Sequence, residues 1–103
     1  MVKAIILFRQ MGKRTPVFDA QYNDFLMKME ALPGLRRKSV STVYAAPGGI
    51  ISFSAVVEVT FEDHAALEAA LTSPPGVEAG QTLKSLAGPD AIILYADVLE
   101  ESY

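Results

Sequence analysis

His64 is the only histidine of the chain, and there is no cysteine. Thiol catalysis, disulfides, iron–sulfur clusters and Cys-ligated zinc are therefore excluded. A single imidazole without clustered carboxylates offers too few ligands to enclose a metal ion, so no metal is expected. No P-loop or GxGxxG occurs, so no nucleotide cofactor is indicated, and no Ser-His-acid set can be named. What remains is acid–base and hydrogen-bond chemistry. A neutral His64 could act as a general base or a hydrogen-bond partner, which makes it the catalytic candidate. The bland alternative is an exposed helix-start residue with no chemistry. Tyr22, Tyr44 and Tyr95 supply phenols and Arg9 a guanidinium. Around an apolar hollow these four groups could orient an aromatic or enolate-like ligand, although each also suits a purely structural role.

The elements that would position these groups follow from periodicity and punctuation. Val2 to Arg9 reads as a strand with apolar residues on both faces, and Arg9 ends it. A loop containing Gly12 follows from Gln10 to Arg14. Thr15-Pro16 is a helix start, a hydroxyl at the N-cap and Pro at the first helical position. Phe18, Tyr22, Phe25, Leu26, Met29 and Leu32 then form one stripe on a 3.6-residue period. Pro33-Gly34 stops this helix. Asp24 lies more than about 100° from the stripe and is expected to face water.

Leu35 to Ala46 reads as a second strand, basic at its start, which suits a sheet edge. Pro47-Gly48-Gly49 is a turn. Ile51 to Phe61 is the cleanest alternation, with Phe53, Ala55, Val57, Val59 and Phe61 on one face. Glu58 is on the other, half-polar face, where pairing across an interface with Lys or Arg is the ordinary role. Asp63 caps a second helix with Ala66, Leu67, Ala70 and Leu71 inward. His64 lies about 60° from Leu67 and about 20° from Leu71 on that helix, counting about 100° per residue, so it flanks the inward stripe. Ser73-Pro74 repeats the cap-plus-Pro signal, and a short helical turn is expected from Pro75 toward Leu86. Ala91 to Val98 is the last strand, and Glu100 to Tyr103 a tail.

The order is β-α-β-β-α-β, the ferredoxin-like α+β arrangement in one domain over residues 1–103. It predicts a four-stranded antiparallel sheet with both helices on one face. At 103 residues the core is small, yet half of the residues are hydrophobic and the mean hydropathy is +0.25. The excess apolar surface, together with the two-sided strands, predicts a homodimer formed through the open sheet face, a dimeric α/β barrel. No apolar run approaches the roughly 20 residues of a membrane span, and the N-terminal run is too short for a signal peptide. A cytoplasmic protein without a membrane partner is expected. The net charge of −3 argues against nucleic acid. Lys13-Arg14 and Arg36-Arg37-Lys38 are short basic clusters that read as solvated positions.

Taken in order, several pieces resemble the EthD family of the dimeric α/β-barrel superfamily. They are Val2-Lys3-Ala4-Ile5-Ile6-Leu7-Phe8, Phe18-Asp19-x-x-Tyr22, Leu32-Pro33-Gly34-Leu35-Arg36-Arg37, Phe61-Glu62-Asp63, Leu67-Glu68-Ala69-Ala70-Leu71 and Ser73-Pro74-x-Gly76. The resemblance implies a ferredoxin-like subunit, a dimer and a small pocket between sheet and helices. Relatives in that superfamily include cofactor-free monooxygenases, lactone isomerases, polyketide cyclases and haem-degrading enzymes. Many EthD-like sequences carry a histidine in the first helix, followed by a Leu-Pro step. Here that stretch reads Tyr22-Asn23-Asp24-Phe25-Leu26-Met27, with neither His nor Pro, which counts against chemistry dependent on that histidine. Two readings follow. The first is a binder of a small apolar or aromatic metabolite, with cofactor-independent oxidation, isomerisation or cyclisation as its activity. The second is a non-catalytic accessory or ligand-binding protein.

Overall fold

The computed structural model describes residues 1–10 and 15–102. The expected loop at Gly12, the Lys13-Arg14 cluster and Tyr103 lie outside the described residues. The elements are β1 (Val2–Arg9), α1 (Pro16–Glu30), β2 (Arg37–Thr42), β3 (Phe53–Phe61), α2 (His64–Thr72), α3 (Pro74–Leu86), a 3₁₀ turn at Gly88–Asp90 and β4 (Ala91–Asp97). The four strands form one sheet in the order β2-β3-β1-β4, and every neighbouring pair is antiparallel. This is the ferredoxin-like α+β fold.

Local signals account for the boundaries. The Thr15 hydroxyl accepts from the Phe18 backbone N–H at 3.1 Å, satisfying one of the orphan donors at the start of α1. Beyond α1, the Leu35 N–H donates to the Leu32 carbonyl, and Gly34 adopts φ 76°. That is the turn geometry which takes Pro at the second position and needs glycine at the third. The Asp63 carboxylate accepts from the Ala66 N–H at 2.8 Å and caps α2.

The second crossover differs from expectation. Instead of one helix and a short turn, it contains two helices, and α3 runs 13 residues. The cause lies at Ser73, whose hydroxyl donates to the Ala70 carbonyl at 2.6 Å and accepts from the Gly76 N–H at 3.2 Å. One side chain thus closes α2 and opens α3, while Pro74 and Pro75 occupy first-turn positions where the missing N–H groups are not needed. A Cβ on Gly76 would lie 2.1 Å from the Ala70 carbonyl oxygen, so the two helices meet closer than any other residue permits.

The second and third strands are also shorter than expected. The edge pairing of β2 runs only from Arg37 to Thr42, extended by single backbone bonds from Arg36 to Thr60 and from Val43 to Ser54. Beyond these, Pro47 and the positive φ of Gly49 interrupt the extended chain.

The core lies between the sheet and the helices. From β1 it takes Val2, Ala4, Ile6 and Phe8, and from β3 Val57, Val59 and Phe61. Phe25 and Met29 of α1 and Leu67, Ala70, Ala79, Leu83 and Leu86 of α2 and α3 close over them. The stripe expected on α1 is the face that packs, with Phe18, Tyr22 and Leu26 at its partly buried margin. The opposite sheet face carries Ile5, Leu7, Val56, Ile92 and Leu94 without a covering layer, and Leu94 is 49% exposed. No helix among the described residues is long and apolar enough to cross a membrane.

Candidate functional site

The antiparallel register sets Ala91, Ile93, Tyr95 and Asp97 of β4 opposite Phe8, Ile6, Ala4 and Val2. These β4 residues therefore face the helix layer. The helices do not fully cover this edge: Ile93 is 48% exposed and Tyr95 61%. The result is a cleft between β4 on one side and α2 and α3 on the other.

The cleft has three parts that share walls. At the C-terminal end of β4 a cavity of about 370 Å³ is lined by His64, Leu67, Leu71, Tyr95 and Asp97. A narrow middle part of about 70 Å³, apolar apart from Tyr95, runs under α3 past Phe25, Met29 and Leu83. At the other end a cavity of about 380 Å³ opens between Gly80, Leu83, Lys84, Pro89 and Ile93. Leu71 and Tyr95 separate the first two parts. Gly80, Leu83 and Ile93 separate the last two.

His64 stands at the polar end. It is the first residue of α2, placed by the Asp63 cap, and its Nε2 lies 2.6 Å from Asp97 Oδ1. With Nε2–H donating to the carboxylate, Nδ1 is the ring atom able to accept a proton. Both side chains are largely open to solvent, His64 at 77% and Asp97 at 80% exposure. Tyr95 adds a phenol two residues away on the same face of β4. The arrangement suits removal of a proton from a weakly acidic group on an otherwise apolar molecule.

Asp97 was not singled out in the sequence, although its signal was there. It sits in phase with Ile93 and Tyr95 on the last strand. An antiparallel pairing of that strand with the first brings position 97 beside the chain leading into α2.

The remaining candidates lie elsewhere. Tyr22 packs edge-on against Phe8 with ring centroids 5.3 Å apart and stacks on Phe18, at the end of β1 remote from Val2 and His64. Arg9 lies over the Phe53 ring, 5.8 Å from its centroid. Tyr44, beyond the end of β2, is 93% exposed. Of the expected groups, the structure gathers only His64 and Tyr95. Asp24 faces solvent and pairs with Lys28 at 3.0 Å. Glu58 pairs with Lys3 at 2.8 Å on the uncovered sheet face. Among the described residues no group of three or more His, Cys, Asp or Glu is gathered to hold a metal ion.

No protein-family model matches the sequence, and no curated protein matches it. Solved structures do. An ethyl tert-butyl ether d (EthD) family protein from Bacillus halodurans aligns at a TM-score of 0.89 and 24% identity, over 96% of this chain and 99% of that one. A dimeric ferredoxin-like protein of unknown function from Jannaschia sp. aligns at 0.76 and 16% identity, over 94% and 98%. The cofactor-independent oxygenase SnoaB from Streptomyces nogalater aligns at 0.70 and 18% identity, over 97% and 94%. The agreement extends along nearly the whole of each chain, and the fold this protein shares with these structures is the ferredoxin-like fold.

Proposed function

We propose that the protein is a cytoplasmic homodimer that binds a small apolar or aromatic metabolite in the β4–α2–α3 cleft and removes a proton from it with His64. The observation that carries this reading is the 2.6 Å contact between His64 and Asp97 at the mouth of a cleft that is otherwise largely apolar. Nδ1 of His64 takes the proton from an acidic C–H or O–H, Asp97 balances the imidazolium, and the Tyr95 hydroxyl donates to the developing oxyanion. Return of the proton to a different carbon isomerises the ligand. Attack of the carbanion on a carbonyl of the same molecule cyclises it. Neither outcome needs a cofactor, in keeping with the cofactor-independent oxygenase that shares the fold.

The dimer is supported by the apolar face of Ile5, Leu7, Val56 and Leu94, which no helix of the chain covers. It is also supported by the dimeric description of the Jannaschia protein. A second copy of the same face, related by a two-fold axis, is the self-complementary cover.

The test is deuterium uptake by an enolisable apolar ketone, 2-tetralone, in D₂O. Wild-type protein is expected to accelerate exchange over buffer. His64→Gln should remove the acceleration by tenfold or more, given that a positioned base contributes about 10²–10⁴. Equal exchange by wild type and variant would overturn the assignment of His64.

A non-catalytic binding role is the second reading. It is favoured by the narrowness of the middle of the cleft, about 70 Å³ between Phe25, Met29 and Leu83. Saturable ligand binding without exchange in any enolisable ketone would select it.

A further inference from the structure

Gly76 and Gly80 stand four residues apart on α3, and only one of them is explained by packing. Gly76 is forced by its approach to the α2 backbone. A Cβ on Gly80, in contrast, would meet nothing within 4 Å. Glycine is the least favoured residue after proline in a helix interior, so neither crowding nor propensity accounts for it there. Its surroundings do: Gly80 borders both the narrow middle of the cleft and the outer cavity toward Pro89. The outer cavity, about 380 Å³, holds none of the acid–base groups of the His64 end. Its floor is Ala91 and Ile93, and the Ile93 side chain is half exposed to it.

We propose that Gly80 joins the outer cavity to the His64 end as one channel, so that the ligand is an elongated molecule with one polar head and an apolar tail. This rests on the reading of the cleft given above. The head lies at His64, Asp97 and Tyr95, and the tail passes Gly80 along β4 toward Pro89. From Tyr95 to Ala91 the strand spans about 13 Å at about 3.3 Å per residue, room for an extended alkyl or aryl-alkyl chain. A side chain at position 80 would project into the open space that the tail crosses and would leave only the head site.

The test uses a series of 4-alkylphenols from methyl to hexyl, with dissociation constants measured by titration calorimetry on wild type, Gly80→Ala and Gly80→Leu. In wild type each added methylene should tighten binding about fourfold, the factor for burying one CH₂. In Gly80→Leu, shown to be folded by circular dichroism, the gain with tail length should disappear. Gly80→Ala should fall between. The same gain per methylene in wild type and Gly80→Leu would overturn the role of Gly80, and so would 4-methylphenol binding with no dependence on tail length in wild type. Both of those results leave the head site intact. Failure of wild type to bind any member would overturn the head site itself, and the channel with it.

Discussion

The two glycines of α3 make a prediction with opposite signs in one helix. At Gly76 an added Cβ would lie 2.1 Å from the Ala70 carbonyl oxygen and 2.7 Å from that of Leu71. These are backbone atoms of α2, so relief requires the helices to separate. Separation strains the buried contacts of Ala70 and Leu83, which sit in the core. Overpacking of this kind costs about 1–3 kcal/mol, sometimes more. It also breaks the Ser73 cap on the Gly76 N–H, worth about 1 kcal/mol. The gain in helix propensity from Gly to Ala returns about 0.5–1 kcal/mol. Gly76→Ala is therefore expected to destabilise by about 1–3.5 kcal/mol. At about 4–8 °C per kcal/mol for a domain of this size, Tm should fall by about 4–28 °C. At Gly80 nothing opposes the propensity term, and Gly80→Ala should stabilise by up to about 1 kcal/mol. Urea denaturation followed by circular dichroism, at one fixed protein concentration so that any self-association contributes equally, reads both variants. A neutral Gly76→Ala, or shifts of the same sign in both, would refute the packing argument at the α2–α3 junction.

Other substitutions test separate parts of the fold. Phe8→Ala removes a ring that is 2% exposed and packs edge-on against Tyr22 and Phe25, so thermal or urea unfolding should show a loss of about 3–5 kcal/mol. Asp63→Ala frees the Ala66 N–H at the start of α2 and should lower stability by about 0.5–2 kcal/mol, with His64 displaced in the NMR spectrum. Tyr44→Ala touches a side chain that is 93% exposed and should change the unfolding free energy by less than about 0.5 kcal/mol. Leu94→Asp places a charge on the uncovered apolar face and is expected to convert a dimer into a folded monomer in sedimentation equilibrium. A dimer unaffected by it would assign the interface elsewhere.

Much of the frame was legible in the residues. The Thr15-Pro16 cap, the Phe25–Met29 stripe and the Leu32-Pro33-Gly34 turn each encode a local hydrogen-bond or packing demand that holds in isolation, and each element stands where it was expected. The alternation in Val57–Phe61 was equally direct, because one face is fully buried. The helix pair was harder. Ser73-Pro74-Pro75 signals a break as strongly as a start, and only the Gly76 contact with α2 shows that a second full helix follows.

The site was legible in part. His64 could be placed beside the inward stripe from helical spacing. Its partner Asp97 is 33 residues away in sequence and becomes adjacent only through the pairing of β1 with β4. Tyr22, Tyr44 and Arg9 were grouped with Tyr95 by chemical type alone. The sheet spreads them across its far end and edge, since strand order and not residue type decides which groups converge.

The proposed function requires that a ligand bind in the cleft at His64, Asp97 and Tyr95. Chemical-shift mapping of isotopically labelled protein titrated with 2-tetralone tests it most directly. The prediction is saturable shifts at His64, Leu71, Tyr95 and Asp97, with Lys3, Leu7 and Glu58 on the opposite sheet face unmoved. Shifts confined to that opposite face, or none at a ligand concentration that saturates the exchange reaction, would contradict it.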